Sequence, residues 1–570
     1  MKIFLITLLF SANLFAQSLQ TIYNSILTLD NKSIENSFSI NSELGMHNDK
    51  CGFGIISEVK NNFSQFSTSQ QKVITEILSR PEKQTSVVSH SGIFRIHFDT
   101  TGTQAPNYFP GAKNNIQLSV DSLAIAFDSS YNYEINILGY EPPPDDEGDG
   151  GDNLYDVYIS SLGTGFYGYT EFDKRNADDR YKSFIVIDNK MNVPTPGIDG
   201  VRVTAAHEFH HAIQVGSYRA PLAGDEYYFE VTSTSMEEFV YDSINDYYHY
   251  LPTYFRNPER RFTYNNGNTG YDRVIWNLYL KEKFERDEDD STKGFEIIKK
   301  SWEIMRNHNR TAIEAISLAL SEYGLEMISS FNDFGAWCYF TGYRAQDGKY
   351  FEEASEYPLI EPIQDPIEYQ PPKKTYIMSV QPVANNYMIF DLSYSGINDT
   401  LVSIITNGDI LSAANDPDYP SIEYTYSLMT NPEDGATHIV NEYYSKLISD
   451  HEIYLLEGDI FNDQVVKGTT IPRGEFEYVY PQPYSYYTHS DISIAIPVNN
   501  SLSEYANLYV YTISMNLVYS EQLNVNQSGR SLVSWDALDN NGNKLPSGIY
   551  IYVTETNGQI LKGKLAIIND

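Results

Sequence analysis

A chain of 570 residues is too long for one hydrophobic core, so two to four domains are expected. Hydrophobic residues at 41% and aromatics at 14% are ample for folded domains and argue against a disordered chain. The formal net charge of −37 argues against nucleic acid and anionic membrane surfaces as partners.

Residues 1–16 read as a secretory signal peptide: Lys2 is followed by an apolar run to Phe10, and Leu14-Phe15-Ala16 fits a cleavage site. No cysteine sits directly after that point, so no lipid anchor is expected there. No later run of eighteen apolar residues follows, so the mature protein is expected to be soluble and not membrane-spanning, secreted or on the cell surface. In an oxidising compartment Cys51 and Cys338, the two cysteines of the chain, either form one bridge or remain two buried thiols. Residues 17–84 are helical in part, clearest over Ser69–Leu78, and form either a prosegment or a packed N-terminal extension.

From Gly92 the pattern alternates, with Phe94, Ile96 and Phe98 against Arg95 and His97, which predicts a strand. A helix follows from Val120 to about Ile137, ending at Gly139. Prolines and glycines keep Glu141–Asp152 out of helix and strand. Its acids are hard oxygen donors of the kind Ca²⁺ takes, but their spacing is not that of an EF-hand loop, and a solvated acidic loop is the other reading. Tyr155–Ile159 and Ser183–Asp188 are predicted strands.

His207-Glu208-Phe209-His210-His211 carries the chemistry. Positions i and i+4 of a helix share a face, so His207 and His211 can point at one ion, with Glu208 beside them to take a proton from water. Asp199 is placed to cap this helix and Gly216 to end it, with Val203, Ala206 and Ile213 to pack it. A second helix, capped by Asp225, carries Glu230, eighteen residues beyond His211. Two histidines and a glutamate with the fourth position open make a catalytic Zn²⁺ site. The arrangement with a third histidine fails, because Gln214 and Ser217 stand where its glycine and histidine belong. Thr234 or Glu237 is placed to orient a ligand histidine. Glu226, Glu237 and Glu238 are the substitutes for Glu230 as ligand.

Downstream, Tyr271–Leu280, Phe295–Met305, Thr311–Tyr323 and Leu325–Trp337 are predicted helices. The chain is therefore read as multidomain: an α+β domain over 85–345, a proline-rich linker over 346–372, then all-β domains. Strands such as Tyr387–Leu392 and Leu401–Thr406 suit a β-sandwich over 373–495. Residues 496–570 are β as well, with turns at Asn541-Gly542 and Ser547-Gly548. The 47 tyrosines fit β-rich packing or exposed contact surfaces.

The HExxH motif followed by Glu230 resembles the gluzincin group of zinc metallopeptidases. The stretches around His207–Gln214 and Phe229–Glu238, with Ser91–Thr101, Leu138–Pro142 and Gly151–Tyr158, resemble secreted metalloproteases of myxobacteria and Bacteroidetes, over about residues 85–345. His210 stands where that family has an aromatic residue, and Val231 where it has a small one. The resemblance implies a zincin-like catalytic domain acting on protein or peptide substrates. It also implies that a strand placed like Ser183–Asp188 lines the cleft and pairs with extended substrate. Tyr271 would be the second oxyanion donor, with a packing tyrosine as the other reading. Trp535-Asp536, Pro546–Tyr550 and Gly563–Leu565 are similar to the small immunoglobulin-like domain used as a type IX secretion sorting signal, and to the like domain of flagellar hook-cap proteins. That implies the secretion machinery as a partner. The alternative to a secreted zinc endopeptidase is a cell-surface adhesin or glycan-binding protein with an inactive zincin domain.

Overall fold

The computed structural model describes residues 19–29, 50–175, 180–222, 224–264, 270–286, 290–346 and 348–361, residues 381 and 383–387, strand segments between 367 and 470, and most of 479–570. The expected signal peptide, residues 1–16, lies outside the described residues, as does most of the expected linker beyond residue 361. The chain divides into two compact units, residues 1–256 with 261–306, and residues 257–260 with 307–570. It is multidomain, helical toward the N-terminus and built of β-sheets toward the C-terminus. The expected helical region to residue 345 is thus divided, its last two helices falling in the second unit. No helix of the described residues is long and apolar enough to cross a membrane.

The first unit is built on a five-stranded sheet of β1 (Thr85–Val88), β2 (Phe94–Phe98), β3 (Tyr155–Ser160), β4 (Gly168–Arg175) and β5 (Tyr181–Asp188). Their order is β1-β2-β3-β5-β4. β2, β3 and β5 are parallel, while β1 and β4 run antiparallel to their neighbours. Seven of the eight residues of β5 are buried, as befits a strand covered on both faces. Ser183–Asp188 therefore cannot pair with a substrate as expected: β3 and β5 bond on one side, β4 and β5 on the other. The outer strand beside the site is β4, which the sequence reading did not single out.

The helices are α1 (19–27), α2 (Phe53–Asn62), α3 (Thr68–Ile77), α4 (Asn115–Tyr131), α5 (Ile198–Ile213), α6 (Glu226–Val240), α7 (Leu251–Arg256), α8 (Val274–Glu285) and α9 (Lys293–His308). α3 opens with a capping box on Ser67 and Gln70, which fixes the amphipathic segment expected there. α4 crosses from β2 to β3 and ends in a wider turn over Asn132–Ile137. The acidic loop that follows is held by cations: Arg80 pairs with Asp146 and Asp156, Lys182 with Glu147 and Arg95 with Asp152.

α5 and α6 pack on each other, and α5 also packs on β4 and β5. Two expected helix ends differ. Gly197 rather than Asp199 precedes α5, and Asp199 sits in the first turn with Arg202, which favours a carboxylate through the helix dipole. Gly216 does not end the helix but lies in a wider turn over Gln214–Tyr218, where a Cβ would lie 2.8 Å from Pro144. Close packing against the acidic loop explains that glycine. Asp225 does precede α6, without a side-chain capping bond.

In the second unit, α10 (Ala312–Glu322) and α11 (Met327–Tyr339) precede antiparallel strands. Leu401–Thr406 pairs with His451–Glu457, and Ile422–Thr430 with His438–Lys446. Residues 479–570 form a two-sheet domain with its own core, including Ile494, Leu508, Val533, Trp535, Tyr550 and Tyr552. That core takes in Val479 and Tyr484, upstream of residue 496. Asp539 accepts the amides of Asn541 and Asn543 at 2.9 and 2.8 Å, and Gly542 takes positive φ, which is the turn expected at Asn541-Gly542.

Candidate metal centre

His207 and His211 lie one turn apart on α5, and α6 lays Glu230 across them. His207 Nε2 is 3.1 Å from His211 Nε2 and 3.2 Å from Glu230 Oε2, which is 3.5 Å from His211 Nε2. All three residues are buried. Donor atoms at zinc distance from a tetrahedral centre lie about 3.4 Å apart. Glu230 Oε2 is buried and makes no hydrogen bond of acceptable geometry. Three donors crowded to this spacing around an unsatisfied carboxylate oxygen fit a divalent cation of the zinc type.

The outer nitrogens are tied back. His207 Nδ1 is 2.7 Å from Glu237 Oε1, while His211 Nδ1 is 2.8 Å from Gln214 Oε1 and 3.1 Å from Ser233 Oγ. Such bonds fix the rings with Nε2 facing inward. Glu237 thus takes the orienting place foreseen for it. Thr234 does not, and its buried hydroxyl has no hydrogen-bond partner. His210 turns away to Glu134 at 2.8 Å. Burial pulls His210 well down and pushes Glu134 well up, disfavouring charge on both.

Glu208 is fixed from β4, where Thr170 Oγ1 donates to Glu208 Oε2 at 2.7 Å and to its carbonyl at 2.9 Å. Tyr271 stands at the same site, its ring centroid 6.0 Å from that of His207. Gly270, just before it, has φ 137°, and a Cβ there would meet Glu230 Cβ at 2.7 Å and Val231 N at 2.9 Å. Gly270→Ala is therefore expected to destabilise the fold by about 3 kcal/mol in denaturant unfolding and to weaken metal binding by displacing Glu230.

Sequence reading missed two residues of this site, Lys50 and Cys51. Cys51 Sγ joins the two histidines and Glu230 in a group whose ligand atoms all lie within 4.8 Å of one another. Among the described residues it is the one such group. Both cysteines are free and buried, so the bridge considered from the sequence is not formed. Lys50 Nζ lies 2.6 Å from Glu237 and 2.7 Å from Asp246, all three buried. The usable signal was a cysteine beside a lysine, which is weak.

Burial opposes charge on His207, but the close carboxylates of Glu230 and Glu237 outweigh it and lift the imidazole to about 9. Burial likewise opposes charge on Glu230, and His211 with His207 outweigh it, holding the carboxyl at about 2. Without metal, His207 is thus protonated at neutral pH, and a metal must displace that proton. Release of that proton is expected to raise apparent zinc affinity from pH 7 toward 9 by up to about tenfold per unit, measured by competition with a chromophoric chelator.

The FlgD Ig-like domain family matches residues 489–559. No curated protein matches the chain. Among solved structures, PorZ, an essential bacterial surface component of the type-IX secretion system of Porphyromonas gingivalis, is 13% identical with a TM-score of 0.13, over 25% of this chain and 23% of its own. Dimeric latent PorU from Porphyromonas gingivalis is 15% identical with a TM-score of 0.15, over 31% of this chain and 20% of its own. The chain thus spans less than a quarter of either structure.

Proposed function

We propose that the first unit is a zincin-like endopeptidase domain that hydrolyses peptide bonds in protein or peptide substrates. The observation that carries this is the convergence of His207 Nε2, His211 Nε2 and Glu230 Oε2 to within 3.1–3.5 Å, with Glu208 adjoining. Bound zinc would supply Lewis acidity and lower the pKa of a water. Glu208 takes a proton from the attacking water and hands it to the leaving amine, with Thr170 holding one carboxylate oxygen in place. Glu237, Gln214 and Ser233 keep the imidazoles aimed inward. The Tyr271 hydroxyl, which accepts the Cys51 amide at 3.3 Å, is placed to donate to the oxyanion that forms on the scissile carbonyl.

A second reading rests on Cys51. Four protein donors make a closed zinc site, which is the structural type. On that reading the chain is a cell-surface binding protein whose zincin-like domain does no chemistry. Hydrolysis of a peptide library by the secreted protein and by its Cys51→Ala variant, with and without chelator, separates the two. Chelator-sensitive cleavage by either supports the peptidase, and none by either, with zinc bound, overturns it.

We further infer that the C-terminal β domain addresses the protein to the exterior through the secretion machinery. Its independent core and Ig-like match support a separate module. Deletion of residues 479–570 is expected to leave the protein in the periplasm with its peptidase activity intact after lysis. Normal export of the truncated chain would refute the sorting role.

A further inference from the structure

The cleft beside the metal centre is filled by the chain itself. Residues 50–52 lie along the outer edge of β4, with Cys51 bridging Gly168 in parallel. Tyr167 N donates to Lys50 O at 2.7 Å, and Gly52 N to Gly168 O at 3.0 Å. Gly52 permits that approach, since a Cβ there would lie 2.9 Å from Tyr169 Cβ. This edge is where an extended peptide could add as a strand next to Glu208. What remains between Lys50, Cys51, Tyr167, Thr204, His207, Glu208 and Glu237 is a cavity of about 10 Å³, room for about one water.

Both side chains of this segment fit their places. Cys51 Sγ completes a four-atom donor set with His207, His211 and Glu230. The Phe53 amide donates to Cys51 Sγ at 3.3 Å, and the Phe53 ring stacks on His211 with centroids 4.0 Å apart. Lys50 enters a pocket of Glu237 and Asp246 walled by the rings of Tyr167, Tyr250 and Tyr271, 5.0–5.6 Å from its Nζ. The Cys51 amide holds the Tyr271 hydroxyl. One short segment thus brings a sulfur to the His207–His211–Glu230 group, lies along the β4 edge and holds the Tyr271 hydroxyl.

We propose that Lys50–Gly52 is an intramolecular blocker, with Cys51 as fourth metal ligand, and that the chain in this arrangement is the latent form of the peptidase. This rests on the zinc peptidase reading. Sulfur gives up its proton to solvent when it binds the metal and recovers one when it leaves. Withdrawal of the segment opens the fourth donor position, the β4 edge and the Tyr271 hydroxyl in one movement.

The test uses the mature full chain loaded with Co²⁺, whose thiolate complexes absorb by charge transfer in the near ultraviolet. Wild type is expected to show that band, and Cys51→Ala to bind cobalt without it. Zinc-loaded Cys51→Ala is expected to hydrolyse peptides at least tenfold faster than wild type. Because a variant can misfold, wild type is also treated with an organomercurial, which is expected to abolish the band and raise hydrolysis together. Cobalt bound without the band overturns the proposal and leaves the metal site standing. So does a band with no gain in hydrolysis from either the variant or the mercurial, which would make Cys51 a permanent ligand. No cobalt bound at all overturns the metal centre and the proposal with it.

Discussion

Glu208→Gln is expected to keep zinc bound and to cut peptide hydrolysis by about 10²–10⁴-fold, the usual contribution of a positioned proton acceptor. The substitution preserves volume and leaves all four donor atoms of the metal group in place. It also leaves a carbonyl oxygen to accept the Thr170 hydroxyl. The comparison is best made in the Cys51→Ala background, where residue 51 no longer contributes a sulfur. Turnover retained by a zinc-loaded Glu208→Gln protein would remove Glu208 from the chemistry.

Glu230→Gln is expected to weaken zinc binding by more than about 100-fold, beyond the 10–100-fold typical when a residue merely orients a ligand is lost. Glu237→Gln falls in that smaller range, because Glu237 touches His207 Nδ1 and not the inward-facing nitrogens. Zinc content after dialysis, with chelator competition for affinity, separates the two. Undiminished zinc in Glu230→Gln would reassign the carboxylate ligand.

The parts of this site legible in the sequence share one property: they are fixed by position along a helix. Four residues set His211 beneath His207, and seven carry Glu230 to Glu237; that Glu230 meets the histidines came from its eighteen-residue spacing after His211 and the likeness to gluzincins. Tyr271 was reached by likeness rather than by spacing, and the structure does place it at the site. The residues that escaped come from elsewhere in the chain. Cys51 is 156 residues from His207, and nothing in its neighbourhood encodes that meeting. Strand order escaped for the same reason. Ser183–Asp188 reads as an apolar strand, but whether it is an edge depends on where Gly168–Arg175 pairs, and local pattern carries no information on that. Helix ends were misplaced for two reasons: Asp199 pairs with Arg202 inside the first turn of α5, and the prolines of the acidic loop pack against Gly216.

The buried ammonium of Lys50 has a consequence for leakage. Drawing it out alone would leave Glu237 and Asp246 buried without their counter-charge. Removing one partner from such a pair costs about 3–5 kcal/mol, so by that term alone the segment would stand open in about one molecule in a hundred or two to one in several thousand. Being buried, the pair is little screened by salt. The idle rate of the protein is therefore expected to be nearly the same in dilute and concentrated salt.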